Sequence, residues 1–314
     1  MPTLAEALAA FALRSYAAGL PDAIFRQGRR AFVNWIGCAY GGCDDPAMLL
    51  ALQALAPFGG APEAVVVGRP ERTDILLATL LNAVSVSAHA FDDTHFATVA
   101  HPTAPVGAAL PALAQRVPIA GSDMLRALVL GVEVQCRVGN MLCTPPAACP
   151  VGLSMAGLVG GIGAAVAAGL VLGLDAPKLT AAIGIAANQS AGLREAHATM
   201  ASHYTPGHAA RCGLQSALLA GVGYSCTPAM LEGPKGFAVC FASQPQGYAG
   251  RPRRGLGDCR SGVQAIPDRL RRASGDRCLP GNRRHAWFRS GRGRVDRPRR
   301  QSVGGGVDRP AEPD

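Results

Sequence analysis

The sequence predicts a mainly α-helical protein, and three observations favour this class. Of the 314 residues, 49% are hydrophobic, 39 are glycine and only 5% are aromatic. Long apolar runs are separated by short breaks of proline and glycine rather than by the regularly spaced turns of an all-β protein. Abundant small residues with few aromatic ones suit closely packed helices.

Capping signals and short breaks locate the first elements. Thr3-Leu4-Ala5-Glu6 is a capping box ahead of an apolar run, so a helix begins there. Leu20-Pro21-Asp22 ends this helix and starts a second one, which continues to Gly41 and Gly42. The β-branched run AVVVG at 64–68 is the best strand candidate in the body of the protein.

The length and composition of the later elements predict helices. They are predicted over Ile75–Ala90, Ala104–Gln115, Met124–Met141, Leu158–Leu174, Leu179–Gln189 and His208–Val222. The uncharged stretch Met155–Leu174 is just long enough to span a membrane. Its alanines and glycines, without a strongly hydrophobic block, favour a helix packed in a protein core instead. No membrane association is expected.

The charge distribution divides the chain into a helical domain, 1–245, and a tail, 246–314. Residues 250–314 hold 17 of the 30 basic and 7 of the 21 acidic residues, so the remainder is nearly neutral. The Arg/Gly/Pro-rich tail shows no apolar period, and we expect it to be disordered. An arginine-rich segment could bind RNA, but this tail lacks interleaved aromatics and a fold signature, so no nucleic-acid partner is expected.

The cysteine pattern predicts reduced thiols. Eight of the ten cysteines lie in the predicted helical domain, singly and in apolar surroundings, and none forms a C-x-x-C pair. The N-terminus also lacks a secretory signal pattern. Both features favour a cytoplasmic protein.

Six stretches carry a family resemblance in the order in which they occur. They are AVVVGRPERT at 64–73, FDDTH with HPTAPVGAALPAL at 91–113, GIGAAVAAGLVLGLD at 161–175, GIAANQSAGL at 184–193, PGHAARCGLQSALLA at 206–220 and LEGPKGF at 231–237. Together they resemble the MmgE/PrpD family, whose members include 2-methylcitrate dehydratase, cis-aconitate decarboxylase and iminodisuccinate epimerase.

The resemblance implies a large helical domain, a smaller α+β domain, an active site between them and a homodimer. We expect the second domain to be missing or scrambled in this sequence, because the sequence changes character where that domain is expected to begin. Back-translation of Asp258–Gly281 with permitted codons, read one nucleotide later, gives elements similar to the family's Lys-Pro-Tyr-Pro, His-Pro and Ile-Asp-Ala. We therefore expect a frameshift before the tail, which sequencing of the coding DNA across codons 240 to 260 tests.

A titratable cluster interrupts an otherwise uncharged stretch. Between Asp74 and Arg116 the only charged residues are Asp92 and Asp93, and His89, His95 and His101 surround them. Imidazole supplies a general base near neutral pH. The resemblance implies a metal-free and cofactor-free lyase or isomerase (dehydratase, decarboxylase or epimerase) that acts on a small carboxylate substrate. The implied catalytic residues are His101 as acid/base with Asp92, Asp93 and Thr94 orienting it; His95, His203 and Arg194 are candidate substrate-binding residues.

Three other interpretations of these motifs are possible. The aspartates could cap a helix over 91–94 while the histidines satisfy backbone groups. His89 and Asp93, at helical i and i+4 positions, could bind a metal with His95 and His101, but the spacing matches no established metal motif. Gly161-Ile162-Gly163 resembles part of a dinucleotide-binding loop, yet it lacks the third glycine and a preceding strand, so tight helix packing explains it better.

Several positions depart from the family pattern. Ala90 stands where an aspartate is common, Ser154 where many members have histidine, and Ser202 and Thr205 where many have lysine and histidine. Loss of the lysine removes a cation suited to a tricarboxylate. We therefore expect a substrate that is less charged, with an inactive helical remnant as the alternative.

Overall fold

The computed structural model describes residues 1–243 and shows a mainly helical domain, which confirms the predicted fold class. The predicted tail, with its disorder and its out-of-frame origin, lies outside the described residues. The helices are α1 (Leu4–Ala18), α2 (Asp22–Gly42), α3 (Pro46–Leu55), α4 (Ile75–Ser87), α5 (Thr103–Ala114), α6 (Gly121–Cys143), α7 (Met155–Val171), α8 (Ala176–Ala187), α9 (Met200–Gly221) and α10 (Phe237–Phe241). Short 3₁₀ turns occupy Ala56–Phe58 and Arg194–Ala196.

The N-terminal capping box forms as predicted. The Thr3 hydroxyl accepts the backbone N–H of Glu6 at 3.3 Å, and the Glu6 carboxylate accepts the backbone N–H of Thr3 at 2.6 Å. Two of the donors that a helix start leaves without an intrahelical partner are thereby satisfied. Helix α2 begins directly after Pro21, whose ring fixes a backbone angle compatible with helix entry.

The predicted strand is much shorter than expected. Only Ala64–Val65 (β1) pairs, antiparallel, with Arg72–Thr73 (β2). The chain turns immediately afterwards: the Val67 amide bonds to the Asn82 side chain at 2.8 Å, and Gly68 has a positive φ of 80°. The Asn82 side chain of α4 therefore accepts the Val67 amide hydrogen bond that a longer hairpin would have formed between its strands.

Helices α3 and α9 depart most from the sequence expectation; α6, α7 and α8 each begin three residues earlier than predicted, and the short α10 was not predicted. Helix α3 was not predicted, although Asp45 caps it by accepting the Ala47 amide at 2.8 Å ahead of Pro46. Helix α9 begins at Met200 rather than His208, because Pro206 lies inside it without ending it. A proline in the second turn removes only one intrahelical bond, and the packing of the long helix outweighs that loss.

Helix α7 forms the centre of the domain and packs against α5, α6, α8 and α9. Its glycines permit backbone contact: a Cβ on Gly163 would lie 2.8 Å from the Gly131 carbonyl oxygen, and one on Gly161 would lie 3.1 Å from that of Ala209. Gly161-Ile162-Gly163 is thus part of a helix interface, as the sequence indicated. In residues 1–243, no helix combines the length and hydropathy that a membrane crossing requires.

Candidate active site

The predicted site residues lie at one end of the helix bundle. The C-terminal ends of α4 and α6 meet the N-terminal ends of α7 and α9 there. The Ser87 hydroxyl at the end of α4 donates to the His203 carbonyl at 3.3 Å, and a Cβ on Gly139 of α6 would lie 3.4 Å from Met155 at the start of α7. Three connecting segments, 88–102, 144–154 and 188–199, lie at this end.

The segment 88–102 is an irregular loop, so the predicted α4 helix ends at Ser87 rather than Ala90. Ala90 and Val99 both have φ values of 53°, an uncommon conformation for residues with a side chain. The Asn34 side chain of α2 donates to the Phe91 carbonyl at 3.1 Å. Inside the loop, the His95 amide donates to the Ala100 carbonyl at 2.7 Å. The loop is therefore held by side-chain and backbone bonds in place of a helical ladder.

His101 is held through one ring nitrogen. Its Nδ1 lies 3.1 Å from the backbone carbonyl of Asp93, 3.3 Å from Oδ1 of Asp92 and 3.5 Å from the Thr94 hydroxyl. A carbonyl only accepts hydrogen bonds, so we assign the proton to Nδ1. In neutral His101 the lone pair then lies on Nε2, which makes no hydrogen bond to the described residues. The side chain is 36% exposed, so this nitrogen belongs to a partly accessible group.

Asp92 controls the charge of His101. Its side chain is 4% exposed and offers its carboxylate to the imidazole. Hydrogen bonding to Asp92 raises the pKa of His101 above its ordinary value although burial opposes this, and the negative charges of Asp92 and Asp93 add to the increase. The pair therefore favours an imidazolium once His101 has taken up a proton.

Asp93 binds the start of α5. Its Oδ1 accepts the Thr103 amide at 3.1 Å and its Oδ2 accepts the Thr103 hydroxyl at 2.6 Å. Burial raises the pKa of Asp93 to about 6, and the charge of Asp92 adds to the effect, while both bonds from Thr103 oppose it. Residues 91–94 are not helical, so that capping interpretation is wrong; Asp93 instead binds Thr103, the first residue of α5, directly after His101-Pro102.

The two remaining histidines of the cluster have different environments. His95 is 5% exposed, and its Nδ1 contacts the Thr98 hydroxyl at 2.7 Å, so its ring lies inside the loop. His89 places Nε2 3.1 Å from the Gly41 carbonyl of α2. Since 88–102 is not helical, the i, i+4 premise of the metal hypothesis is wrong. Within residues 1–243, no group of three or more His, Cys, Asp or Glu side chains has an arrangement that could hold a metal.

His203 and Arg194 lie on the other segments of this end. His203 is half-buried in the first turn of α9, beside Ser87. Arg194 is half-buried in the 3₁₀ turn, and its amide donates to the Gly152 carbonyl at 2.8 Å, which links segments 188–199 and 144–154. Within 1–243, no hydrogen bond joins either residue to His101. Their substrate-binding roles stay predictions, as do the roles of the cluster residues.

The structure adds residues that sequence reasoning missed. Thr103 completes the binding of Asp93, and Asn34 anchors the loop from α2. The position of Thr103 directly after His-Pro was the available signal, because a hydroxyl residue at a helix start often bonds locally. Asn34 gave no signal, since it lies 57 residues from Phe91.

Comparison with known proteins identifies the family of this chain. The sequence model of the MmgE/PrpD N-terminal domain matches residues 6–247, more than three quarters of the chain. The chain belongs to the MmgE/PrpD family. Similar proteins include the cis-aconitate decarboxylases of Homo sapiens (29% identity over 232 residues), Mus musculus (29% over 230) and Aspergillus terreus (28% over 219).

The match covers most of this chain but less than half of each relative. The aligned parts cover 71%, 71% and 68% of this chain but 47%, 46% and 44% of those three relatives. The chain therefore spans less than half the length of the curated relatives it matches. The family is established by the N-terminal domain, and the reaction is a separate question.

Proposed function

We propose that this MmgE/PrpD-family chain carries the acid/base site of a lyase-type enzyme that acts on a small carboxylic acid. His101 is the group that removes or returns a proton beside a substrate carboxylate. The observation that carries the proposal is the fixed orientation of its ring. Nδ1 is bound to the Asp93 carbonyl and lies next to Asp92, while Nε2 is unbonded within 1–243.

Each neighbour has a role in this proton transfer. Neutral His101 accepts the proton at Nε2, and the Asp92 carboxylate stabilises the imidazolium that forms. Asp93 and Thr103 fix the backbone that carries the ring, and the Thr94 hydroxyl limits its rotation. The proton then leaves to a leaving group or returns to carbon, which covers the dehydratase, decarboxylase and epimerase alternatives. A positioned acid/base of this kind contributes roughly 10²- to 10⁴-fold in rate. The scheme uses no metal or organic cofactor.

Substrate carboxylates would be bound by Arg194 and His203, with His95 shaping the loop. Two of the departures from the family pattern, Ser154 and Thr205, lie close together: a Cβ on Gly192 would lie 2.7 Å from the Thr205 side chain and 3.4 Å from that of Ser154. Two small uncharged side chains thus lie together where many family members have histidines, and Ser202 replaces the common lysine on the same helix as Thr205. This supports a mono- or dicarboxylate in place of the tricarboxylate cis-aconitate named in the relatives. A homodimer remains part of the proposal on the family resemblance.

Deuterium exchange tests the assignment directly. The full chain is incubated in D₂O with mono-, di- and tricarboxylic acids, and NMR follows exchange beside the carboxylate and product formation. His101→Gln should lower the rate by about 100-fold or more. His89→Gln is the matched control, because His89 contacts Gly41 and lies outside the Asp92–Asp93 contacts; its rate should stay within about twofold.

The outcomes separate the alternatives. A folded His101→Gln variant with undiminished exchange would refute His101 as the acid/base. If the wild-type chain binds an acid, seen as a shift of the His101 ring signals, yet neither exchanges nor converts any of them, the inactive remnant is favoured. Salt-sensitive RNA binding without carboxylate binding would favour the nucleic-acid alternative instead.

A further inference from the structure

The outward face of α2 leaves large apolar side chains exposed. Val33 is 68% exposed and Tyr40 is 61% exposed, and Ile36, at the edge of the same face, is 37% exposed. Gly37 lies between them, and a Cβ placed there would have no atom of a neighbouring element within 4 Å. Single apolar residues are normal on a protein surface, but an exposed group of them on one helix face marks a contact with another surface.

This exposed group continues onto the loop 88–102. Phe91 is 77% exposed, and its carbonyl accepts a hydrogen bond from the Asn34 side chain of α2 at 3.1 Å. His89 places Nε2 3.1 Å from the Gly41 carbonyl of α2, and its ring centroid lies 6.4 Å from that of Phe91. The loop therefore lies along one side of α2. We call Val33, Ile36, Gly37, Tyr40 and Phe91 the α2 face.

Charges of opposite sign lie at the two ends of the α2 face. Arg30 precedes it, is exposed, and makes no hydrogen bond or ion pair within residues 1–243. Asp44 follows it; its Oδ1 binds Arg69, yet the side chain is 77% exposed, so the carboxylate can accept a second cation. Arg30 and Asp44 are each seven residues from Gly37, about 10 Å along the helix axis. The α2 face is therefore complementary in charge to a second α2 face that runs in the opposite direction.

We propose that the α2 face is the contact surface between two copies of this chain, which pair with their α2 helices antiparallel about a two-fold axis at Gly37. Arg30 of each copy then lies opposite Asp44 of the partner subunit, and the apolar side chains meet around the axis. A two-fold interface uses the same patch on both subunits. Parallel helices would instead place like charges together at both ends, which opposes association.

The inference rests on the homodimer in the proposed function, to which it assigns a surface, and it does not depend on the acid/base role of His101. Because Phe91 flanks α2, the second copy also covers part of the loop 88–102 that carries His101. The small side chain of Gly37 lets the two helices approach to the 8–10 Å that is usual between packed helices.

Analytical ultracentrifugation of the full chain over a range of concentrations tests the surface. The wild type should reach twice the mass of one chain. Val33→Glu should raise the dissociation constant by about 100-fold or more, because pairing would bury an unpaired carboxylate. Val222→Glu is the matched control, since Val222 is 85% exposed after the end of α9, and it should change the constant less than about twofold. Circular dichroism checks that both variants fold.

Charge reversal tests the antiparallel register. Arg30→Glu alone, or Asp44→Arg alone, replaces two attractive pairs across the interface by repulsive ones and should weaken the dimer about 10- to 30-fold at low salt. An equimolar mixture of the two variants should form a heterodimer of nearly wild-type strength, because each pair again joins opposite charges. Recovery in the mixture cannot come from a change within one chain.

The outcomes separate the surface from the rest of the proposed function. A chain that stays monomeric at all concentrations overturns both the homodimer and this surface, and leaves the α2 face to a different partner. A dimer that Val33→Glu does not weaken, or charge-reversed variants whose mixture does not recover, overturns the surface while the homodimer stands. Loss of carbonic-acid-independent quantities such as exchange activity has no bearing on these masses, so a wild-type dimer without turnover supports the surface and leaves only the catalytic role of His101 refuted.

Discussion

Replacing Asp93 by Asn should make the protein more stable at neutral pH. Asp93 is 6% exposed, and burial raises its pKa from an ordinary 3.8 to about 6. Between these pH values the folded state binds more protons than the unfolded state, so ionisation destabilises the fold as pH rises. Asparagine has nearly the same shape, remains neutral, and can still pair with the Thr103 amide and hydroxyl.

The magnitude follows from the two pKa values. The cost of ionising Asp93 in the folded state is about 1 kcal/mol at pH 4.5 and about 3 kcal/mol at pH 7.5. The free energy of unfolding of Asp93→Asn, minus that of the wild type, should therefore grow by roughly 2 kcal/mol across this range. Urea unfolding of both proteins, followed by circular dichroism at several pH values, measures this difference.

Asp74→Asn is the matched control. Asp74 caps α4 by accepting the amides of Leu76 and Leu77 at 2.9 and 3.0 Å, and also accepts that of Gly60 at 2.9 Å. Burial raises the pKa of Asp74, but these backbone bonds outweigh burial and lower it below its usual value. The ionised Asp74 carboxylate stabilises the fold above the pKa that Asp74 has in the unfolded chain, and this stabilisation is lost in acid. The Asp74→Asn variant should therefore be less stable than the wild type, most clearly at neutral pH. A flat or falling difference for Asp93→Asn would refute the reasoning.

Three further predictions use other contacts. Asp92→Asn removes the main cause of the raised pKa of His101, so NMR titration of the imidazole should show a lower pKa, whereas an unchanged value would contradict the assigned contact. Thr103→Val removes the hydroxyl bond to Asp93, which favours the charged carboxylate, and keeps the amide bond; it should cost about 1–3 kcal/mol in urea unfolding at pH 7.5, with a smaller loss at pH 4.5. Gly42→Ala places a methyl group against the Ser85 carbonyl and should lower the free energy of unfolding by about 2–3 kcal/mol, measured in urea. Gly37→Ala, on the exposed face of α2, should be neutral or slightly stabilising. Equal effects of the two substitutions would mean that α2 and α4 separate freely.

The sequence by itself determined the helical class, most helix positions and the family. These follow from local or repeated signals. A capping box at Thr3 and Glu6 satisfies its bonds within one turn, and the six family-like stretches are recognised by their residues and their order along the chain. The acid/base candidate His101 also came from a contiguous motif, HPTAPVG. Such information depends on residues that are neighbours along the chain.

Only the tertiary structure decided which groups meet at the site. The loop 88–102 is not a helix because the Asn34 side chain bonds to the Phe91 carbonyl and a backbone bridge joins His95 to Ala100. Neither contact has the spacing of a helical hydrogen bond. Asp93 finds its partner at Thr103, ten residues away, and the segment 144–154 after α6 is bridged through Ala148 to Ser243. Hydrogen bonds between residues far apart in the chain depend on how the helices pack. Packing is a property of the whole domain, so no periodic pattern in the sequence predicts these bonds.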